Sequence, residues 1–226
     1  IQTILPLAKM GDTKFLFMAT KGGEVKKTGI LKFANIRGRG IVAIKLDKND
    51  RLAWVKPTTG EDEILLVTQK GKAIRFKEAY IRPTGRATMG VRGVRLGKDD
   101  SVIGMEVIYK RKDVDGRKKP FTDILVVTER GLGKRTPVKL FPLQGRGGAG
   151  VKIANINNKT GNIITALFAV EDIKQIIITS KAGQVIKLPI RNVPQLGRAT
   201  QGVILMRFAK AEDGVAAVAT VDEGEE

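Results

Sequence analysis

The chain has 226 residues, of which 41 are Lys or Arg and 23 are Asp or Glu, giving a formal charge of +18. Cysteine and histidine are both absent, which excludes disulfides, thiolate and imidazole metal sites, cysteine nucleophiles and histidine acid–base catalysis. Apolar residues make up 42%, enough for a core, so this is not a disordered basic tail, and so much positive charge on a globular chain points to a polyanion such as nucleic acid.

In chain order, Ile1 to Leu7 reads as an edge strand cut from a preceding repeat, so a longer parent polypeptide is expected. No run is long enough to span a membrane and no signal sequence opens the chain, which fits a cytoplasmic protein. Four copies of one pattern follow, at about 12–59, 61–110, 121–167 and 170–221, within one domain covering 1–226. Each copy has an apolar run, a turn with glycine (Gly23, Gly71, Gly131, Gly183) and Thr20, Thr68, Thr128 or Ser180 three residues before that glycine. Such a pattern predicts a β-hairpin whose glycine supplies a positive φ. The runs Phe15 to Met18, Ile64 to Val67, Ile124 to Val127 and Ile176 to Thr179 suit strands buried on both faces. A second glycine (Gly40, Gly90, Gly150, Gly202) precedes a β-branched residue. Alternation after it, as in Val91 to Leu96, predicts a further strand. A turn is expected at Lys48-Asn49-Asp50. The third copy is separated from the second by a polar insertion, 109–120, read as an exposed loop, and 222–226 reads as an acidic tail. A four-stranded sheet with both faces apolar must stack on neighbours, so the expected class is all-β, propeller-like, with repeated antiparallel blades.

Enzymatic constellations are missing. The run Gly145 to Gly150 is formally G-x-G-x-x-G, but Pro142 precedes it and an alternating stretch follows, where a nucleotide loop needs a strand before and a helix after. Carboxylates such as Asp47, Asp50, Asp99, Asp100 and Asp213 fall in turns, and turn structure accounts for them. Cations, by contrast, recur by position. Four residues after the first glycine stand Lys27, Arg75, Arg135 and Lys187, and four before the second stand Arg86, Arg146 and Arg198, with Arg37 and Arg39 in the first copy. Lys45, Arg95 and Arg207 follow the second glycine. A ring of repeats would turn these into neighbouring basic arcs suited to the phosphates of a bent duplex, with little sequence preference. Aromatics total only 5%, a poor basis for stacking on single strands.

The stretches F-M-A-T-K-G-G-E-V-K-K-T (17–28), G-E-D-E-I-L-L-V-T-Q-K-G-K-A-I-R-F-K-E (60–78), T-M-G-V-R-G-V-R-L-G (88–97), G-L-G-K-R-T (131–136) and G-R-A-T-Q-G-V-I-L-M-R (197–207) together resemble the C-terminal domain of the DNA gyrase A protein. The resemblance covers nearly the whole chain. It implies a β-pinwheel whose blades exchange a strand with their neighbours, and double-stranded DNA wrapped on a basic rim so that the holoenzyme, a type II topoisomerase, introduces negative supercoils. It also implies that the catalytic tyrosine lies in another part of the gyrase A protein and that ATP and magnesium are used elsewhere in its complex with the gyrase B protein. No cofactor is expected in this chain, and a nucleoid-associated cytoplasmic location follows. The family's gyrase A box is similar to Gln144 to Gly150 at Gln144, Arg146, Gly147, Gly148 and Gly150, but Gly145 and Ala149 stand where cations belong. This stretch reads as the ordinary second turn of its repeat, with the box expected upstream. Two alternatives stay open: the equivalent domain of topoisomerase IV, and a propeller used as a protein-interaction scaffold.

Overall fold

The structure, a computed structural model, describes residues 13–35, 40–110, 123–169 and 173–222. The expected edge strand at the start, Arg37 and Arg39, most of the 109–120 insertion and nearly all of the acidic tail lie outside the described residues. The described chain is all-β, with fifteen strands and short 3-10 turns. It divides into two compact units, Ile1–Leu66 with Ile74–Pro120 and Leu143–Gly150, and Val67–Ala73 with Phe121–Pro142 and Val151–Glu226.

The first unit holds a four-stranded sheet in the order β3-β1-β2-β6, built from β1 (Phe15–Thr20), β2 (Glu24–Gly29), β3 (Leu52–Thr58) and β6 (Val91–Arg92). A second sheet, β10-β5-β4-β7, comprises β4 (Glu63–Thr68), β5 (Lys72–Lys77), β7 (Val102–Ile108) and β10 (Val151–Lys152), and the division between units runs through β4 and β5. In the second unit β8 (Asp123–Thr128), β9 (Leu132–Pro137), β11 (Ile163–Ala169) and β14 (Val203–Ile204) make the order β11-β8-β9-β14. The last sheet has three strands, β13-β12-β15: β12 (Ile173–Ser180), β13 (Val185–Pro189) and β15 (Val215–Asp222).

One plan repeats. A hairpin forms, a third strand returns to its first strand, and a two-residue strand from the following repeat pairs with its second. The incoming strands β6, β10 and β14 start directly after Gly90, Gly150 and Gly202, in registers Val91↔Val25, Val151↔Ala73 and Val203↔Gly133. The hairpin turns have the expected chemistry. Gly23, Gly71, Gly131 and Gly183 have φ between 77° and 88°, and each donates its N–H to the carbonyl of the Thr or Ser three residues earlier. At Gly131 a Cβ would collide with the carbonyl oxygen of Met206, and the Gly131 carbonyl accepts the Leu205 N–H at 2.8 Å. Glycine there serves both the left-handed turn and the close approach of the incoming segment. Asp50 and Asp213 accept turn amides from Gly22 (2.8 Å) and Ala182 (3.0 Å), the structural role expected of turn carboxylates. The turn at 48–49 is present.

Burial on both faces holds for the second and third runs, where Ile64 to Val67 and Ile124 to Val127 are essentially inaccessible. They stack within cores; in the first unit Phe17, Ile64, Leu66, Phe76 and Met105 share one cluster. The fourth run differs: Ile176 and Ile178 are buried, but Ile177 and Thr179 only half-buried. The last sheet lacks an incoming strand among the described residues, and Val185 on β13 is 59% exposed, whereas its counterpart Val25 is fully buried. The expected alternation through Val91 to Leu96 also fails. The strand ends at Arg92, and Gly93 and Val94 are both buried because their N–H groups both turn onto the Gly23 carbonyl at 2.8 and 3.3 Å.

Candidate nucleic-acid interface

The cations that follow the first glycine do not form an exposed row. Lys27 is buried against the Phe15 ring (4.9 Å), donates to the Glu78 carbonyl at 3.1 Å and pairs with the Glu78 carboxylate at 3.6 Å. Glu78 is itself fully buried and accepts from Thr58 (2.9 Å), Gly60 (2.7 Å) and Asp62 (2.9 Å). Arg75 pairs with Glu63 at 2.6 Å, and Arg135 with Asp123 at 3.2 Å while donating to the Val193 carbonyl at 2.8 Å. Of the four, only Lys187 is exposed. The register explains the pattern. Lys27 faces Phe17, Arg135 faces Leu125 and Lys187 faces Ile177, so the residue two back on the partner strand lies on the diagonal: Phe15, Asp123 and Gln175. Long side chains reach that diagonal. An acid there captures the cation, and a glutamine leaves it in solvent. The signal was available in the sequence, since Glu63 and Asp123 stand twelve residues before Arg75 and Arg135.

The cations before the second glycine are placed differently. Arg146 is exposed and donates to the Arg92 carbonyl at 3.1 Å; Arg198 is half-exposed and donates to the Lys152 carbonyl at 3.2 Å. These are the same contact one repeat apart, since Arg92 and Lys152 both stand two residues after a second glycine. Arg86 is half-exposed on the equivalent turn. Arg92 and Lys152 are themselves exposed, so Arg146 and Arg198 each stand beside a second basic residue, whose position two after the second glycine holds Val42 in the copy before Arg86. Arg95 and Lys45, both exposed, donate their backbone N–H groups to Gly148 (2.8 Å) and Thr88 (3.0 Å), which ties them to the backbone of these turns. Arg207 is exposed on the segment after β14.

Gln144 is a turn residue. Its N–H donates to the Arg75 carbonyl at 2.8 Å, as Thr84 does to Lys27 (2.9 Å) and Leu196 to Arg135 (2.8 Å), and its amide nitrogen is buried without a hydrogen-bond partner. Residues 144–150 therefore fold as the ordinary second turn of their repeat, followed by the two-residue β10 and not by a helix. Among the described residues no cluster of three or more Asp or Glu could hold a metal, and no helix is long and apolar enough to cross a membrane. The arrangement sets a turn arginine beside a basic strand residue, Arg146 with Arg92 and Arg198 with Lys152, a chemistry suited to phosphate oxygens.

A family profile described as "DNA gyrase C-terminal domain, beta-propeller" matches residues 14–59, 62–108, 122–169 and 174–222. The DNA gyrase A protein of Buchnera aphidicola subsp. Baizongia pistaciae is 38% identical over 216 residues, 96% of this chain and 24% of that protein. Its Staphylococcus aureus (strain NCTC 8325 / PS 47) counterpart is 39% identical over 217 residues, 95% and 23%. The chain thus spans about a quarter of these relatives' length. Among solved structures, the C-terminal domain of DNA topoisomerase IV superposes with a TM-score of 0.85 at 22% identity, covering 98% of this chain and 66% of that one. The DNA gyrase A C-terminal domain gives 0.76 at 22%, covering 93% and 67%. These likenesses establish a shared propeller-type fold, and with four matched blades the chain belongs to the DNA gyrase C-terminal domain family.

Proposed function

We propose that this chain is a non-catalytic domain of a gyrase A protein that binds and wraps duplex DNA, so that strand passage elsewhere in the complex yields negative supercoils. The observation that carries this reading is the recurrence of one exposed cation site, Arg146 beside Arg92 and Arg198 beside Lys152, in successive repeats of a chain with a charge of +18. Each such site offers two cations, a turn arginine and its basic neighbour, to the phosphates of a duplex. Bending 20–30 base pairs by 40–90° costs on the order of 1–6 kcal/mol, which several charge-neutralising contacts offset through counterion release. Contacts of this kind ignore base sequence. The gyrase B protein, with the remainder of the gyrase A protein, would supply ATP, magnesium and the cleavage chemistry, in the cytoplasm at the nucleoid.

Topoisomerase IV is the second reading, favoured by the higher structural likeness to its C-terminal domain. A single experiment separates the two. The chain is titrated with duplex DNA at several salt concentrations, and relaxed nicked plasmid is ligated in its presence to read the linking number. A steep salt slope with a positive linking shift supports wrapping of the gyrase kind. Binding without a shift supports bending of the topoisomerase IV kind, and no binding near physiological salt overturns both readings and leaves the scaffold.

A further inference from the structure

Two lysines that no part of the DNA-binding reading uses lie beneath the arginine-bearing turns. Lys134 and Lys26 occupy the third position after their turn glycines and are 1% and 2% exposed. The Lys134 ammonium donates to the carbonyls of Gly197 (2.7 Å) and Arg198 (2.8 Å) and to the Thr200 hydroxyl (3.1 Å). The Lys26 ammonium donates to the carbonyls of Ala43 (2.8 Å), Thr88 (3.1 Å) and Arg86. All three donors of each ammonium are thus engaged, mostly on the turn of the following repeat. In the second hairpin the same position is Ile74, fully buried, whose Cδ1 would lie 3.7 Å from a Cβ added to Gly148.

The turns differ to match. Those over lysine read Gly85-Arg86-Ala87-Thr88 and Gly197-Arg198-Ala199-Thr200; the one over isoleucine reads Gly145-Arg146-Gly147-Gly148. In both lysine-backed turns the threonine hydroxyl donates to the glycine carbonyl three residues earlier, at 3.0 and 2.9 Å. In the isoleucine-backed turn Gly147 takes φ 78°, a conformation that neither Ala87 nor Ala199 adopts. We propose that Lys26 and Lys134 are positioning residues that set the turn presenting Arg86 and Arg198 to DNA, and that hairpin residue and turn sequence form matched pairs, lysine with R-A-T and isoleucine with R-G-G. A buried ammonium collects carbonyls that point inward, and an isoleucine beneath an R-A-T turn would leave those acceptors unsatisfied. Conversely, an R-G-G turn relaxes through its left-handed glycine and needs only an apolar floor.

The inference rests on the DNA-binding reading for its functional part and on the fold for the rest. The test uses the whole chain with Lys134→Met, Lys134→Ile, and Lys134→Ile combined with Ala199→Gly and Thr200→Gly. Readouts are the melting transition, amide exchange at 198–200, and the affinity and salt slope for a duplex of defined length. In Lys134→Met, exchange at 198–200 is expected to quicken and DNA affinity to fall roughly three- to tenfold per folded molecule, the scale of one displaced contact. The matched triple variant should regain wild-type exchange and melting. Lower melting of Lys134→Met with exchange at 198–200, affinity and slope unchanged would overturn the proposal, as would a triple variant that melts no higher than Lys134→Ile. Wild-type protein that fails to bind DNA would sink the DNA reading alone, because exchange and rescue by the matched turn still test the pairing.

Discussion

Two rows of cations recur at fixed places in the repeats, and apart from the exposed Lys187 the fold treats them oppositely. The row after the first glycine sits on the second hairpin strand, inside a regular ladder, where a diagonal neighbour reaches it. Arg75 and Arg135 are claimed by Glu63 and Asp123, and Lys27 by a ring and a buried glutamate from the next repeat. The row before the second glycine sits on a short turn outside any ladder, where Arg146 and Arg198 reach only a backbone carbonyl. Recurrence therefore marks structural repetition as readily as functional repetition. What separates the two is whether a side chain's immediate neighbours already satisfy its charge.

This contrast fails most visibly if Lys27 proves dispensable. Lys27→Ala leaves Glu78 charged and buried with its counter-ion gone, and the unfolding free energy in urea should fall by about 3–5 kcal/mol. DNA affinity per folded molecule should hold. Arg135→Ala should cost less, about 1–3 kcal/mol, since Gln195 still donates to both Asp123 oxygens at 2.9 and 3.0 Å. Charge reversal at Arg75 or Arg135 would accordingly report on folding more than on DNA binding. A smaller effect concerns Lys134, whose pKa is lowered to about 8 by burial and by the Arg198 guanidinium. The unfolded chain keeps this proton up to the ordinary lysine value of 10.5, so between about pH 8 and 10.5 it binds more protons than the folded chain. Stability should therefore rise with pH across that window as far as this group is concerned. Urea melts across the window should show that rise in the wild type and a smaller one in Lys134→Met, where Lys26, also lowered by burial, still contributes in the same sense. Smallest in stability are Arg146→Ala and Arg198→Ala, expected within about 0.5 kcal/mol of wild type. Each should make the slope of log affinity against log salt shallower by about 0.9. An unchanged slope would assign these arginines to the scaffold as well.

Much of the fold was legible in the sequence for local reasons. The four turn glycines take the positive φ that the hairpin reading requires, and Ile64 to Val67 and Ile124 to Val127 are buried on both faces as their unbroken apolar character implies. Asp50 and Asp213 cap turns, as their position suggested. Less was legible where one repeat leans on another. The incoming strand is only two residues long, too short for a period, and Gly93 and Val94 are buried together because they close onto the Gly23 carbonyl. The fourth run looked like the others, but its sheet has no incoming strand among the described residues, and Ile177 is left half-exposed. Within the candidate interface, Arg146 and Arg198 share a recurring position, while the position of Arg92 and Lys152, two after the second glycine, is Val42 and Ile204 in the other copies and so carries no recurring charge.

Residue order alone settled the hairpins, their number and the excess of basic charge, since turn conformation, strand periodicity and formal charge depend on neighbours along the chain. Which turn lies over each buried side chain emerged only with the packing of the repeats. Lys26, Ile74 and Lys134 occupy one position in one motif, yet their environments are set by the turn that the next repeat brings over them. A charge is neutralised, and an ammonium desolvated, by whatever lies within a few ångströms in space, and for Lys26, Lys27 and Lys134 that neighbour stands dozens of residues away.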